Sequence, residues 1–92
     1  MPSSSERAVR AHATLPATVA LHARPAGTFV REAARFRATV HVAANGRCAN
    51  AKSILEVLAL GATGGTTLSL SASGEDAAAA VERLAAVVTE LS

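Results

Sequence analysis

The chain has 92 residues, nine Lys or Arg against seven Asp or Glu for a formal charge of +2, and half of it is hydrophobic, much of that alanine. Phe29 and Phe36 are its only aromatics, so the composition describes one domain with a small aliphatic core and no need of a disulfide or metal staple. One cysteine, Cys48, excludes an internal disulfide, no Cys/His spacing suits zinc, and no apolar run nears the roughly 20 residues of a membrane span, which points to a cytoplasmic protein without a cofactor.

Met1-Pro2-Ser3-Ser4-Ser5-Glu6 lacks a basic-then-apolar signal pattern, and residues 1–7 read as a disordered tail ahead of a single domain over 8–92. Val9, Ala11, Ala13 and Leu15 alternate with polar residues, the two-residue period of a half-buried strand, and Pro16 ends it. Ala23 to about Phe36 is predicted as an amphipathic helix, with Ala26, Phe29, Val30, Ala33 and Phe36 on its apolar side. Arg24, Arg31 and Arg35 share nearly one angle on the opposite side. Thr39-Val40-His41-Val42-Ala43 returns to strand character, and Asn45-Gly46 is a strong type I′ hairpin signal leading into Arg47-Cys48-Ala49-Asn50. Ser53-Ile54-Leu55-Glu56 matches a capping box, with Ser53 accepting from the third helical N–H and Glu56 reaching back, at the head of a short helix to about Leu60. Gly61 ends that helix in the left-handed region. Gly64-Gly65 turns the chain into the alternating Thr66-Thr67-Leu68-Ser69-Leu70-Ser71, and Glu75-Asp76 opens a last helix with a stripe of Ala77, Val81, Leu84, Val88 and Leu91. The order β-α-β-β-α-β-α, with strands polar on one side, predicts an α+β two-layer sandwich whose helices cover one face of the sheet.

Within this frame, Leu21-His22-Ala23-Arg24-Pro25-Ala26 places a histidine and an arginine where the first helix begins. The first N–H groups of a helix carry partial positive charge and bind anions. Pro25 has no N–H, which leaves the backbone amides of Ala23 and Arg24 as the nearest donors. Arg24 adds a planar, always-charged fork suited to phosphate oxygens. A positive helix end beside the nucleophilic imidazole of His22 welcomes the anion that phosphorylation would create. An isolated pair of this kind is equally served by a solvated helix start, and the rest of the chain decides between the two.

With that site, the chain resembles the HPr family, the histidine-containing phosphocarriers of the phosphoenolpyruvate-dependent sugar phosphotransferase system, over nearly all residues from about Val9 onward. The segment 21–26 is similar to the family's active-site segment, and Asn50-Ala51-Lys52-Ser53-Ile54 to its regulatory-serine segment; Gly61, Gly65-Thr66 and Ser73-Gly74-Glu75-Asp76 follow in matching order. The resemblance implies an open-faced sandwich with a four-stranded antiparallel sheet in the order 1-4-2-3. It also implies that His22 accepts a phosphoryl group from phosphorylated enzyme I and passes it to the A domain of a sugar-specific enzyme II, with Arg24 steadying the group. Such a protein is a carrier, not an enzyme. A site that held phosphate too tightly would stall the relay. Leu21, Ala23, Ile54, Leu55 and Leu58 resemble the family's apolar docking patch, with Leu55 the best placed for exposure and Arg31 and Lys52 ringing it to meet acidic partners. Ser53 is fully explained as an N-cap, and the resemblance adds a regulatory phosphorylation role, with a serine kinase or regulators as further partners.

Four residues depart from the family's pattern. Ala20 replaces a usual glycine and would be strained by about 1 kcal/mol if its φ were positive. Val19 replaces a small polar residue, Gly27 softens the first turn, and Glu56 adds an acid beside the docking patch. A regulatory paralogue with the same phosphohistidine is therefore the alternative. A basic α+β module binding RNA or an effector is a remote one, because Phe29 and Phe36 sit on a helix and no exposed strand carries aromatics for base stacking. A hydrolase lacks a second catalytic acid or base and a metal site. His12 and His41 read as solvated strand residues and Cys48 as a small packed side chain. No nucleic acid, membrane insertion or large dimer surface is implied, and a monomer is expected.

Overall fold

The computed structural model describes residues 8–92; the tail expected at 1–7 lies outside them. The elements are β1 (Val9–Thr14), α1 (Ala23–Ala33), β2 (Thr39–Ala44), β3 (Arg47–Asn50), α2 (Ile54–Ala59), β4 (Thr67–Ser73) and α3 (Ala77–Glu90). All strand pairs are antiparallel and the sheet order is β1-β4-β2-β3, as the resemblance implied. Alternation sets what the sheet buries: Ala13, Val40, Val42, Ala49, Leu68, Leu70 and Ala72 face the helices, and the residues between them face outward. Phe29 of α1, Val57 of α2 and Leu84 and Val88 of α3 close the core from the other side, all without exposed surface. No helix among the described residues is long and apolar enough to cross a membrane.

The turns follow their sequence chemistry. Asn45 and Gly46 have φ of 55° and 75°, the two left-handed residues of a type I′ turn that matches strand twist. Gly64 answers to close approach: a Cβ there would lie 2.1 Å from the Ala17 carbonyl oxygen, so the turn before β4 packs its backbone against the loop after β1.

Three expectations need correction. The first helix ends at Ala33, short of Phe36. Its exit tightens through i→i+3 bonds from Arg35 N and Phe36 N to the Glu32 and Ala33 carbonyls, each 3.2 Å. Lys52 Nζ then donates to the Phe36 carbonyl at 2.7 Å, and Asp76 accepts from Arg37 N at 2.9 Å and Ala38 N at 2.8 Å. Those partners hold the chain out of the helix, and Phe36 packs against the core from beyond it. For the same reason Asp76, although the N-cap residue of α3, makes no side-chain cap bond.

The capping box is half formed. Ser53 Oγ accepts from Glu56 N at 3.3 Å, but Glu56 Oε1 accepts from Asn50 N at 2.9 Å, because Ser53 N is already committed to the Asn50 carbonyl at 3.0 Å. Finally, Cys48 is exposed: Ala49 takes the inward position of β3, which turns Cys48 to the open face of the sheet.

Candidate phosphoryl-acceptor site

The loop from Pro16 to Leu21 delivers His22 to the head of α1. Val19 N donates to the Pro16 carbonyl at 3.0 Å, Leu21 N to Ala62 at 2.9 Å and His22 N to Ala20 at 2.8 Å. Leu21 is 4 % exposed. It is therefore an anchor under the site, not part of a docking surface as the resemblance implied, and by seating inward it turns His22 outward. Ala20 does not have a positive φ; Asn45 is the non-glycine residue with one among the described residues. The strain expected of an alanine at this position does not arise. Val19 packs against the edge of the core.

His22 is the N-cap of α1, with φ −77° and ψ −176° and no side-chain cap bond, and its carbonyl accepts from Ala26 N at 2.9 Å. The amides of Ala23 and Arg24 are then the free donors of the first turn, since Pro25 has none. No acidic residue lies in that turn. His22, Ala23 and Arg24 are all exposed, and the Arg24 guanidinium has no partner among the described residues. Thr18, Ala20, His22, Arg24, Pro25 and Ser92 border a shallow depression of about 270 Å³, room for a phosphoryl group beside the ring. Thr18 was not singled out from sequence; only the turn from Pro16 to Val19 brings it there.

Leu55 is 77 % exposed and Ile54 38 %, Leu58 is half-buried, and Val57 alone of the α2 residues is fully inward. An apolar patch on α2 thus forms from three of the five residues expected, joined by exposed Ala23. The basic ring is smaller than expected. Arg31 is exposed and its Nη2 lies 3.4 Å from Thr28 Oγ1, but the Lys52 ammonium is tied to the Phe36 carbonyl. Arg35, the end of the predicted stripe, pairs with Glu32 at 3.5 Å, and Glu32 also holds Arg83 at 3.1 Å. Ser53 is half-buried, its hydroxyl engaged as the α2 cap. No group of three or more His, Cys, Asp or Glu among the described residues could hold a metal ion.

An open-faced sandwich that offers one imidazole at a helix head, with an arginine and free amides beside it, is a histidine phosphocarrier domain. The family described as "PTS HPr component phosphorylation site" matches residues 9–90. The phosphocarrier protein HPr of Buchnera aphidicola from Acyrthosiphon pisum is 44 % identical over 71 residues, 77 % of this chain and 84 % of its own. The crystal structure of an HPr from Bacillus anthracis superposes with a TM-score of 0.84 at 36 % identity, covering 89 % of this chain and 98 % of that one. Crh, the catabolite-repression protein of Bacillus subtilis, seen with a swapping domain as a dimer, superposes with a TM-score of 0.73 at 44 % identity, covering 82 % of this chain and 86 % of its own. The chain belongs to the HPr family, the phosphocarriers of the phosphotransferase system.

Proposed function

We propose that His22 receives the phosphoryl group from phosphorylated enzyme I and delivers it to the A domain of a sugar-specific enzyme II. A ring-nitrogen lone pair of His22 attacks phosphorus, and the bond to the donor breaks with its electron pair leaving on the donor; the second transfer runs the same step with His22 as the leaving group. Phosphoryl transfer passes through a loose transition state with charge spread over three oxygens, so positioning and electrostatics carry the catalysis. Here the Ala23 and Arg24 amides and the Arg24 guanidinium face that charge. The observation that carries this reading is the exposure of His22 at the α1 N-cap beside these donors. Because the group arrives and leaves on one side chain, the protein is a carrier in a relay and not an enzyme.

The partners dock on Leu55, Ile54, Leu58 and Ala23, with Arg24 and Arg31 supplying charge, and the protein works as a cytoplasmic monomer. A Ser53 phosphate would add negative charge beside this patch and weaken docking to an acidic partner. The regulatory reading keeps the same phosphohistidine and changes the acceptor. Glu56 lends it little support, because its carboxylate is bonded to Asn50 N.

Intact mass after incubation with phosphoenolpyruvate and enzyme I is the test. The expected result is a gain of one phosphate, lost on acid treatment and absent in His22→Ala. No gain with an active enzyme I and a folded sample would overturn the reading.

A further inference from the structure

The outward face of the sheet, opposite the helices, carries chemistry that the His22 site does not use. Strand register sets Arg10 of β1 directly across from Ser71 of β4, and Ser71 directly across from His41 of β2. Strands lie about 4.8 Å apart, so an arginine and a histidine flank one serine from both sides. The adjacent row runs His12, Ser69, Ala43, Cys48. These two rows border a depression of about 260 Å³, with half-buried Ser71 in its floor and Arg10, His12 and His41 exposed around it.

The strand residues that border this depression include Arg10 and no carboxylate, and the nearest acid, Glu56 of α2, is engaged with Asn50 N at the β3 end of the row. The acids among the described residues, Glu32, Glu56, Glu75, Asp76, Glu82 and Glu90, belong to the helices or to the turn before α3, and no strand contains a carboxylate. What faces His41 is Ser71 and Ser69 from β4, Arg10 from beyond them, and Asn50 and Cys48 from β3; what faces His12 is Ser69. Arg10 offers a guanidinium fork, the serines offer hydroxyl donors, and each imidazole offers at least one ring N–H donor. The volume is below the roughly 300–1,000 Å³ of pockets that hold drug-sized ligands. A small anionic group is the occupant that fits both the volume and the sign.

We propose that the open sheet face binds a small oxyanion, a phosphate monoester or chemically similar dianion, over Ser71 between Arg10 and His41, separately from the phosphoryl site at His22. The Arg10 fork takes two oxygens, the Ser69 and Ser71 hydroxyls donate from below, and the imidazole N–H groups of His41 and His12 donate from the rim.

Sulfate is the direct probe, because it is a compact dianion with the tetrahedral oxygens of a phosphate monoester. Amide and imidazole NMR shifts are followed on the full chain during sulfate titration at constant pH, with sodium chloride at matched ionic strength as control. The expected result is saturable shifts at Ser69, Ser71 and His41. Arg10→Gln and His41→Gln should each raise the midpoint of those shifts by about fivefold or more while the shifts at residues 22–26 persist. Arg10 and His41 are exposed, and an unchanged amide spectrum elsewhere confirms that the variants fold. Shifts confined to residues 22–26, sheet shifts that sodium chloride reproduces, or saturable sheet shifts indifferent to both substitutions would each overturn the proposal.

Discussion

Leu21 and Leu55 are both leucines that the family resemblance assigns to one docking patch, yet burial gives them opposite duties. Leu21 is 4 % exposed and Leu55 77 %. Truncating a buried leucine removes its transfer free energy and leaves a cavity, so Leu21→Ala should lower stability by about 2–5 kcal/mol. Leu55→Ala empties nothing and should stay within about 0.5 kcal/mol of the parent in urea unfolding. Phosphorylation by enzyme I separates them in the other direction: in conditions where both are folded, Leu55→Ala should lose about fivefold to thirtyfold in kcat/KM, the range of an interface anchor worth about 1–2 kcal/mol. An unchanged kcat/KM would remove Leu55 from the docking surface. The place of the neighbouring His22 and Arg24 at the head of α1 was legible in the sequence, because a helix start with a proline in its first turn needs no tertiary information. Leu21's burial was not, because it depends on the Ala62 carbonyl that receives its N–H.

At the scale of elements, periodicity was sufficient for strands and helices and failed where a side chain reaches backbone far along the chain. Asp76 binds the amides of Arg37 and Ala38, and Lys52 binds the Phe36 carbonyl; both contacts lie outside any local window. Together they end α1 early and aim the chain into β2, with Gly74 letting the backbone pass close to Ala38. Asp76 is held below its ordinary pKa, first by the Arg37 N–H, then by the Ala38 N–H, its own N–H and the Lys52 charge, against some desolvation. A carboxylate whose folded pKa is lowered stabilises the fold at pH values above its unfolded pKa, and that contribution is lost as pH falls through the folded value. Asp76→Asn keeps the shape but offers only one acceptor oxygen for two amides. Urea unfolding should therefore show Asp76→Asn less stable than the parent at pH 7, with the gap closing below about pH 4. A gap that stays constant to pH 2.5 would mean that the carboxylate charge contributes nothing to the clamp.

For the whole molecule, the site is held where two loops meet at one end of the β1–β4 pairing, beyond the Thr14–Thr67 partners. Residues 16–22 carry the histidine and residues 62–66 receive them: Leu21 N bonds the Ala62 carbonyl, Leu15 N bonds Thr66, and Gly65 N is shared between the Leu15 and Pro16 carbonyls at 3.2 and 3.3 Å. Gly64 lies within that contact, against the Ala17 backbone. A methyl group at position 64 would sit 2.1 Å from the Ala17 carbonyl oxygen, and since the opposing atom is backbone, one loop must move. Overpacking of this kind costs about 1–3 kcal/mol, but the larger consequence is at His22, whose position against the Ala23 and Arg24 amides is set through the displaced loop. Misplacement of reacting groups by about 1 Å can cost on the order of a hundredfold in rate. Gly64→Ala should remain folded at low temperature, show amide shift changes concentrated in residues 15–22 and 62–66, and transfer phosphate at least about tenfold more slowly per folded molecule. The comparison with Leu21→Ala decides how the effect arises: if Gly64→Ala lowers stability alone and its folded fraction transfers at the parental rate, the contact between the loops holds the fold together without positioning the histidine.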